Sequence, residues 1–169
     1  MKNLFRKATM ADISAIWEIL AQGIEKRKAE GSKQWQDGYP NPDVVRKDIE
    51  NGVGYVWLVD ELVAGYCAVM VNDEPAYFEI EGEWLSDGDF VVYHRVGVHE
   101  NYLGQGIARK MLAKIEDLAR SWGIKSLRAD TNHDTGPMLH LFESMGYIYC
   151  GEVYFRGSAR RAYEKLIAS

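Results

Sequence analysis

"VHENYLGQGIARKML", residues 98–112, places two glycines one residue apart between an apolar run and an amphipathic one. Upstream, "FVVYHRVGV" is β-branched and aromatic and predicts a strand. Downstream, Ile107, Met111, Ile115, Leu118 and Trp122 fall on one stripe, widened by Leu112 and Ala119, which predicts a helix ending at Gly123. The first N–H groups of a helix have no intrahelical partners, and its dipole is positive there, so this turn is a candidate anion cradle. Gly104 and Gly106 would let the backbone approach a phosphate with no Cβ between. Two glycines alone also suit a plain chain turn.

The flanks separate the phosphate-binding alternatives. A Walker loop ends in Gly-Lys-Ser/Thr, but Ile107 and Ala108 follow Gly106. A dinucleotide fingerprint needs a third glycine or alanine where Arg109 stands, directly after the first strand of the fold, and residues 99–103 intervene between Val98 and Gly104. What remains is a diphosphate held in a longer strand-to-helix loop.

Outward from this junction, a chain of 169 residues with 47% apolar side chains predicts a single domain, 1–169, able to bury a substantial core. The formal charge of −5 argues against a general nucleic-acid or membrane-surface binder, so any basic site must be local. Residues 1–9 lack an apolar signal core and residues 63–71 are too short to span a bilayer, so a cytoplasmic location is the default expectation. Cys67 and Cys150 lie far apart with no CxxC or Cys/His cluster, which predicts two reduced, packed thiols. His94, His99, His133 and His140 form no helical HxxxH pair, and no metal site is expected.

Residues 4–7 read as a strand. Thr9 to Asp12 resembles a capping box before Ile13, Ile16, Trp17, Leu20 and Ile24 at helical spacing. Asn41-Pro42-Asp43 supplies an N-cap, a first-turn proline and an early acid for a shorter helix ending near Gly52. "GYVWLVD" and "LVAGYCAVMV" predict a hairpin around Asp60-Glu61. After the central helix, strands are expected at 126–130, 147–154 and 161–167, with a short helix at 137–145. The order β-α-α-β-β-β-α-β-α-β-β describes an α/β domain built on one mixed sheet.

"VGVHENYLGQGIARKML" resembles the acetyl-CoA signature of the GNAT superfamily of N-acetyltransferases, a strand followed by Arg/Gln-x-x-Gly-x-Gly/Ala and a helix. "FRKATMADISAIWEIL" is similar to the family's opening strand and helix, "VWLVDELVAGYCAV" to its central hairpin, and "LHLFESMGYIYCG" to its late helix closed by Gly-aromatic. Together these cover nearly the whole chain in the family's order. The resemblance implies a GNAT-like fold and acetyl-CoA as co-substrate. It implies that the backbone of Leu103, Gly104, Gln105, Gly106, Ile107 and Ala108 holds the pyrophosphate, and that the main chain near Val96 and Val98 receives the pantetheine arm as another strand. Asn132 and Phe142 also fall among the implied cofactor contacts. The chain departs from the pattern at Asn101, where Arg or Gln is usual, at Thr135, where asparagine is frequent, and at Phe142, where many members place a tyrosine beside the thiol. Without that hydroxyl another donor must serve, Tyr147, Tyr149 or solvent.

Acetyl transfer to an amine requires a neutral nucleophile, a polarised thioester carbonyl and a destination for charge as the thiolate leaves. The resemblance implies direct attack in a ternary complex. His94 is a base candidate because imidazole titrates near neutrality, although a histidine satisfied within the core is the competing reading. Glu79 and Glu81 precede that strand, and Glu79 is the alternative base. Residues 72–90 hold seven acids and no lysine or arginine, which suits either a solvated acidic segment or a wall attracting a cationic amine. Trp35 and Tyr39 lie in the loop where the family builds its acceptor pocket, and with Glu81 they are expected to contact the acceptor by cation–π and charge, with packing of Trp35 over the sheet as the equal alternative. The expected partner is a small primary amine, with a homodimer as the family-level expectation. The alternative is a non-catalytic acyl-CoA-binding regulatory module, which keeps the glycine cradle and needs no base.

Overall fold

Hydrophobic alternation and glycine punctuation translate directly into elements in the computed structural model, which describes residues 1–155 and 157–168. The strands are β1 (Asn3–Lys7), β2 (Gly54–Val59), β3 (Leu62–Val71), β4 (Glu81–Gly82), β5 (Val91–Val98), β6 (Ser126–Thr131), β7 (Ile148–Phe155) and β8 (Ser158–Leu166). The helices are α1 (Ile13–Ala29), α2 (Pro42–Glu50), α3 (Ile107–Ser121) and α4 (Gly136–Ser144). The strands form one mixed sheet in the order β1-β2-β3-β5-β6-β8-β7-β4. Asn41 caps α2 as expected, its Oδ1 accepting the Val44 N–H at 3.1 Å. Asp12 closes a short 3-10 turn, Met10–Asp12, rather than α1 itself, and accepts from both Thr9 N–H and Arg6.

The chain divides into two compact units, Met1–Val69 with His94–Lys114, and Met70–Tyr93 with the chain from Ile115 onward. In the first unit β1, β2 and β3 pair antiparallel. Ile16 and Leu20 of α1, Val45 of α2, Val56 and Leu58 of β2 and Tyr66 of β3 form its core with Trp35. Glycine sets two close approaches: a Cβ at Gly65 would come within 3.1 Å of Met111 of α3, and one at Gly97 within 2.9 Å of Ile19 of α1.

In the second unit β8 lies between β6 and β7, antiparallel to both. Tyr77, Phe90, Val92, Val153 and Ala162 make the core. The two-residue β4 was not expected from sequence. It crosses β7 where Gly82 meets Gly151, and a Cβ on either would lie 2.2 Å from a backbone oxygen, so neither position accepts a side chain. Trp122, predicted on the buried stripe, falls one residue beyond α3 and is exposed, because the helix stops before Gly123 in the left-handed region.

Glu164 of β8 has no exposed surface, yet its carboxylate accepts from Leu85 N–H at 2.6 Å and from the hydroxyls of Ser86 and Ser126 at 2.5 Å each, with Arg128 Nε at 3.4 Å. Arg128 in turn donates to the Ser86 carbonyl and lies 4.3 Å over the ring of Trp84. An acid from another strand thus fastens the segment that carries the exposed acids. Removing one partner of a buried charge network leaves the rest uncompensated, so Glu164→Ala is expected to lose about 3–5 kcal/mol in urea unfolding. A variant as stable as wild type would show that the network carries no net weight.

Candidate active site

β5 carries the decisive local feature. It pairs in parallel with β6 only at Val91 with Leu127 and Val92 with Arg128, so residues 93–98 have no β6 partner among the described residues. Arg95 then adopts φ 56°, a left-handed conformation that an arginine takes only when its surroundings dictate it. What dictates it is its side chain. The guanidinium is buried and makes a bidentate pair with Asp48 of α2, Nε to Oδ2 at 2.9 Å and Nη2 to Oδ1 at 2.7 Å, and it donates to the Tyr39 hydroxyl as well. Tyr66 donates to the same carboxylate at 2.6 Å. Burial alone would lower the Arg95 pKa, but Tyr39 and Asp48 outweigh it and hold it above the usual guanidinium value. Burial and the Asp48 charge push the Tyr66 phenol far up.

Beyond Arg95, Val96, Gly97 and Val98 line a groove of about 700 Å³. The face of α1 from Glu18 to Arg27 lines it as well, together with Glu100 and Leu103. Gly104 and Gly106 follow with φ 77° and 75°, and no atom lies within 4 Å of where a Cβ on either would sit. Their glycine requirement is therefore conformational, and the space above them is open. Lys110 N–H donates to the Gly106 carbonyl, so α3 begins on this loop. An open nest of main-chain donors at a helix start fits a diphosphate.

The predicted site residues divide between the units. His94, Val96, Val98, Leu103, Gly104, Gln105, Gly106, Ile107 and Ala108 follow one another in the first, as do Trp35 and Tyr39. Trp35 is buried against Gly23 of α1, where a Cβ would come 2.8 Å from the ring, with the Arg27 guanidinium 3.8 Å from the ring centroid. Tyr39 is engaged by Arg95. Both rings thus already have cationic partners from the chain itself. His94 is half-buried on β5.

Glu79, Glu81, Asn132, Phe142 and Tyr147 belong to the second unit. Glu79 ends a 3-10 turn, Pro75–Glu79, and is exposed. Glu81 accepts from the Tyr154 hydroxyl at 2.7 Å. Asn132 is buried just after β6. Phe142 of α4 is buried between Tyr147 and Tyr163, with ring centroids 5.3 and 5.2 Å away. Tyr93 donates to the Tyr147 hydroxyl at 2.9 Å, and burial holds the Tyr147 phenol well above its ordinary range. Burial likewise raises the Cys67 thiol far above its usual range and Cys150 to about 11, so neither is a ready thiolate nucleophile. Among the described residues no group of His, Cys, Asp and Glu could hold a metal ion.

The family model described as the GNAT acetyltransferase family matches residues 17–147. The chain belongs to that family. It is 32% identical to a GNAT acetyltransferase from Streptococcus agalactiae, with a TM-score of 0.90 over 99% of this chain and 96% of that one. L-amino acid N-acyltransferase MnaT of Escherichia coli K12 is 29% identical over 153 residues, 88% of this chain and 81% of MnaT. The fold is shared with yncA of Salmonella typhimurium, solved with acetyl-CoA, at a TM-score of 0.70 and 21% identity over 99% and 95% of the two chains. The glycine turn before α3 lies where the sequence carries the family signature. Sequence reasoning missed the α1 wall of the groove and the Arg95–Asp48 pair; the one available signal for the former was Gly97, a glycine inside a strand pattern.

Arg95→Ala is expected to destabilise the enzyme by about 3–5 kcal/mol, because Asp48 stays buried without its partner, and Arg95→Lys should recover only part of this. Urea unfolding of the three proteins checks it. A loss within about 0.5 kcal/mol, as for an ordinary surface change, would mean the pair carries no net weight in the fold.

Proposed function

We propose that this GNAT enzyme moves an acetyl group from acetyl-CoA to the primary amine of a small acceptor, an amino acid or related amine, by direct attack in a ternary complex. The observation that carries the reading is the groove of the first unit, lined by Val96, Gly97, Val98 and Leu103, with open space beside the left-handed Gly104 and Gly106 that follow it in the chain. Their amides would bind the diphosphate, and the β5 main chain would pair with the pantetheine arm as a strand does. Acetyl-CoA supplies the thioester; the amine nitrogen forms the new C–N bond as the C–S bond breaks, leaving N-acetyl product, free thiol and no acyl-enzyme. His94 is the proposed acceptor of the amine proton and Glu79 the alternative. Tyr147, its phenol held protonated by burial, is suited to donate a hydrogen bond to the departing thiolate, which takes the proton that makes it a free thiol from solvent.

The acceptor class rests on two points. MnaT, an L-amino acid N-acyltransferase by name, matches most of the chain. The aromatic rings nominated for a cationic amine, Trp35 and Tyr39, are engaged by Arg27 and Arg95, which favours an ordinary amino acid over a polyamine.

Free-thiol release from acetyl-CoA, run against a panel of amino acids, amino sugars and polyamines, tests the proposal. Wild type should turn over at least one amino acid, and Gly106→Glu, which puts a charged side chain into a left-handed position facing the loop, should raise KM for acetyl-CoA at least about tenfold without unfolding the protein. Tight acetyl-CoA binding with no thiol release from any small amine would overturn it in favour of a binding module.

A further inference from the structure

The turn that launches the glycine loop is held by one histidine. The His99 N–H donates to the Ala64 carbonyl of β3 at 2.8 Å, and its own carbonyl accepts from Tyr102 N–H at 2.9 Å. Its ring Nδ1 accepts the Asn101 N–H at 3.1 Å, capping the 3-10 turn Glu100–Tyr102. An imidazole nitrogen that accepts carries no proton, so in the neutral ring the proton lies on Nε2. Nε2–H faces α1 and has Glu18 Oε1 as its acceptor at 3.4 Å; the Gln22 amide nitrogen, itself a donor, only lies alongside at 3.2 Å, and Gln22 holds the turn through its Oε1, which accepts the Glu100 N–H at 3.0 Å. Glu18 and Gln22 are one helical turn apart and therefore share a face. They reach the turn because Gly97 lets β5 come against Ile19.

We propose that His99 is a positioning residue for cofactor binding: with Glu18 and Gln22 it clamps the 99–102 turn to α1 and so presets the 103–108 loop for a diphosphate. The proposal rests on the reading that this loop holds the diphosphate of acetyl-CoA. The clamp fixes N–H directions before the ligand arrives, and preorganisation of this kind acts on affinity rather than on the chemical step. His99 does not line the groove, whereas Glu18 and Gln22 do, so the His99 variants separate positioning from direct contact.

The test is CoA affinity by titration calorimetry, with steady-state kinetics, for wild type, His99→Ala, His99→Asn and Gln22→Ala, each checked by thermal unfolding. Loss of the cap in His99→Ala should raise Kd for CoA and KM for acetyl-CoA about threefold to thirtyfold. KM for the acceptor should stay within about twofold, as for an effect confined to cofactor binding. Asparagine supplies an acceptor oxygen at the cap but cannot reach α1, so His99→Asn should fall between alanine and wild type. Gln22→Ala, which frees the Glu100 N–H, should weaken CoA in the same sense and carries the test if His99→Ala does not fold. Equal CoA affinity in folded His99→Ala and wild type, or an equal rise in both KM values, would overturn the clamp while leaving the loop assignment intact. Failure of wild type itself to bind CoA would overturn the loop assignment, and the clamp with it.

Discussion

A buried guanidinium paired with a buried carboxylate ties β5 to α2. Neither Arg95 nor Asp48 is cheap to bury, and their mutual attraction offsets the desolvation only because the geometry is bidentate and Tyr66 and Tyr39 complete the hydrogen bonding. Arg95, in a left-handed conformation, stands between Val92, the last residue paired with β6, and Val96, which lines the groove. From there each step depends on the last. Gly97 admits α1, α1 walls the groove and reaches His99, and His99 starts the loop whose glycines face open space. A single ion pair thus stands at the start of a site built mainly from backbone.

The second unit solves a different problem. Its irregular 72–90 segment carries exposed acids that repel one another, and the buried carboxylate of Glu164 anchors it through hydroxyl and backbone donors rather than through a cation alone. Around Phe142 stand three tyrosine rings, those of Tyr93, Tyr147 and Tyr163, and the Tyr93 hydroxyl donates to that of Tyr147. Burial raises the Tyr147 phenol and makes it a reluctant acid.

Much of the fold was legible because it is written in periodicity. The order of helices and strands, the α2 cap at Asn41 and the family signature at the glycine turn follow from apolar spacing and from residues whose backbone preferences are strong. What escaped was set by tertiary contact. Nothing in an arginine announces φ 56°, and nothing in "EIEGE" announces a two-residue strand, since β4 exists only because Gly82 can cross Gly151. α1 runs on to Ala29, well past Ile24, because its polar last turn is carried by packing of Gly23 under Trp35. The same contact explains why Trp35 reads as an acceptor-facing aromatic in sequence and is a buried one in the fold. The glycine turn was readable because left-handed backbone calls for glycine; which group serves as base was not, because a base is defined by its neighbours rather than by its type.

The backbone of the first unit, along Val96 and Val98 and through residues 103–108, is the proposed seat of the cofactor. Amide hydrogen exchange of the full chain with and without saturating CoA measures this directly. Slowed exchange concentrated at residues 96–98 and 103–108 is the predicted result. Protection confined to other segments, with these amides exchanging as fast as in the free protein, would contradict it.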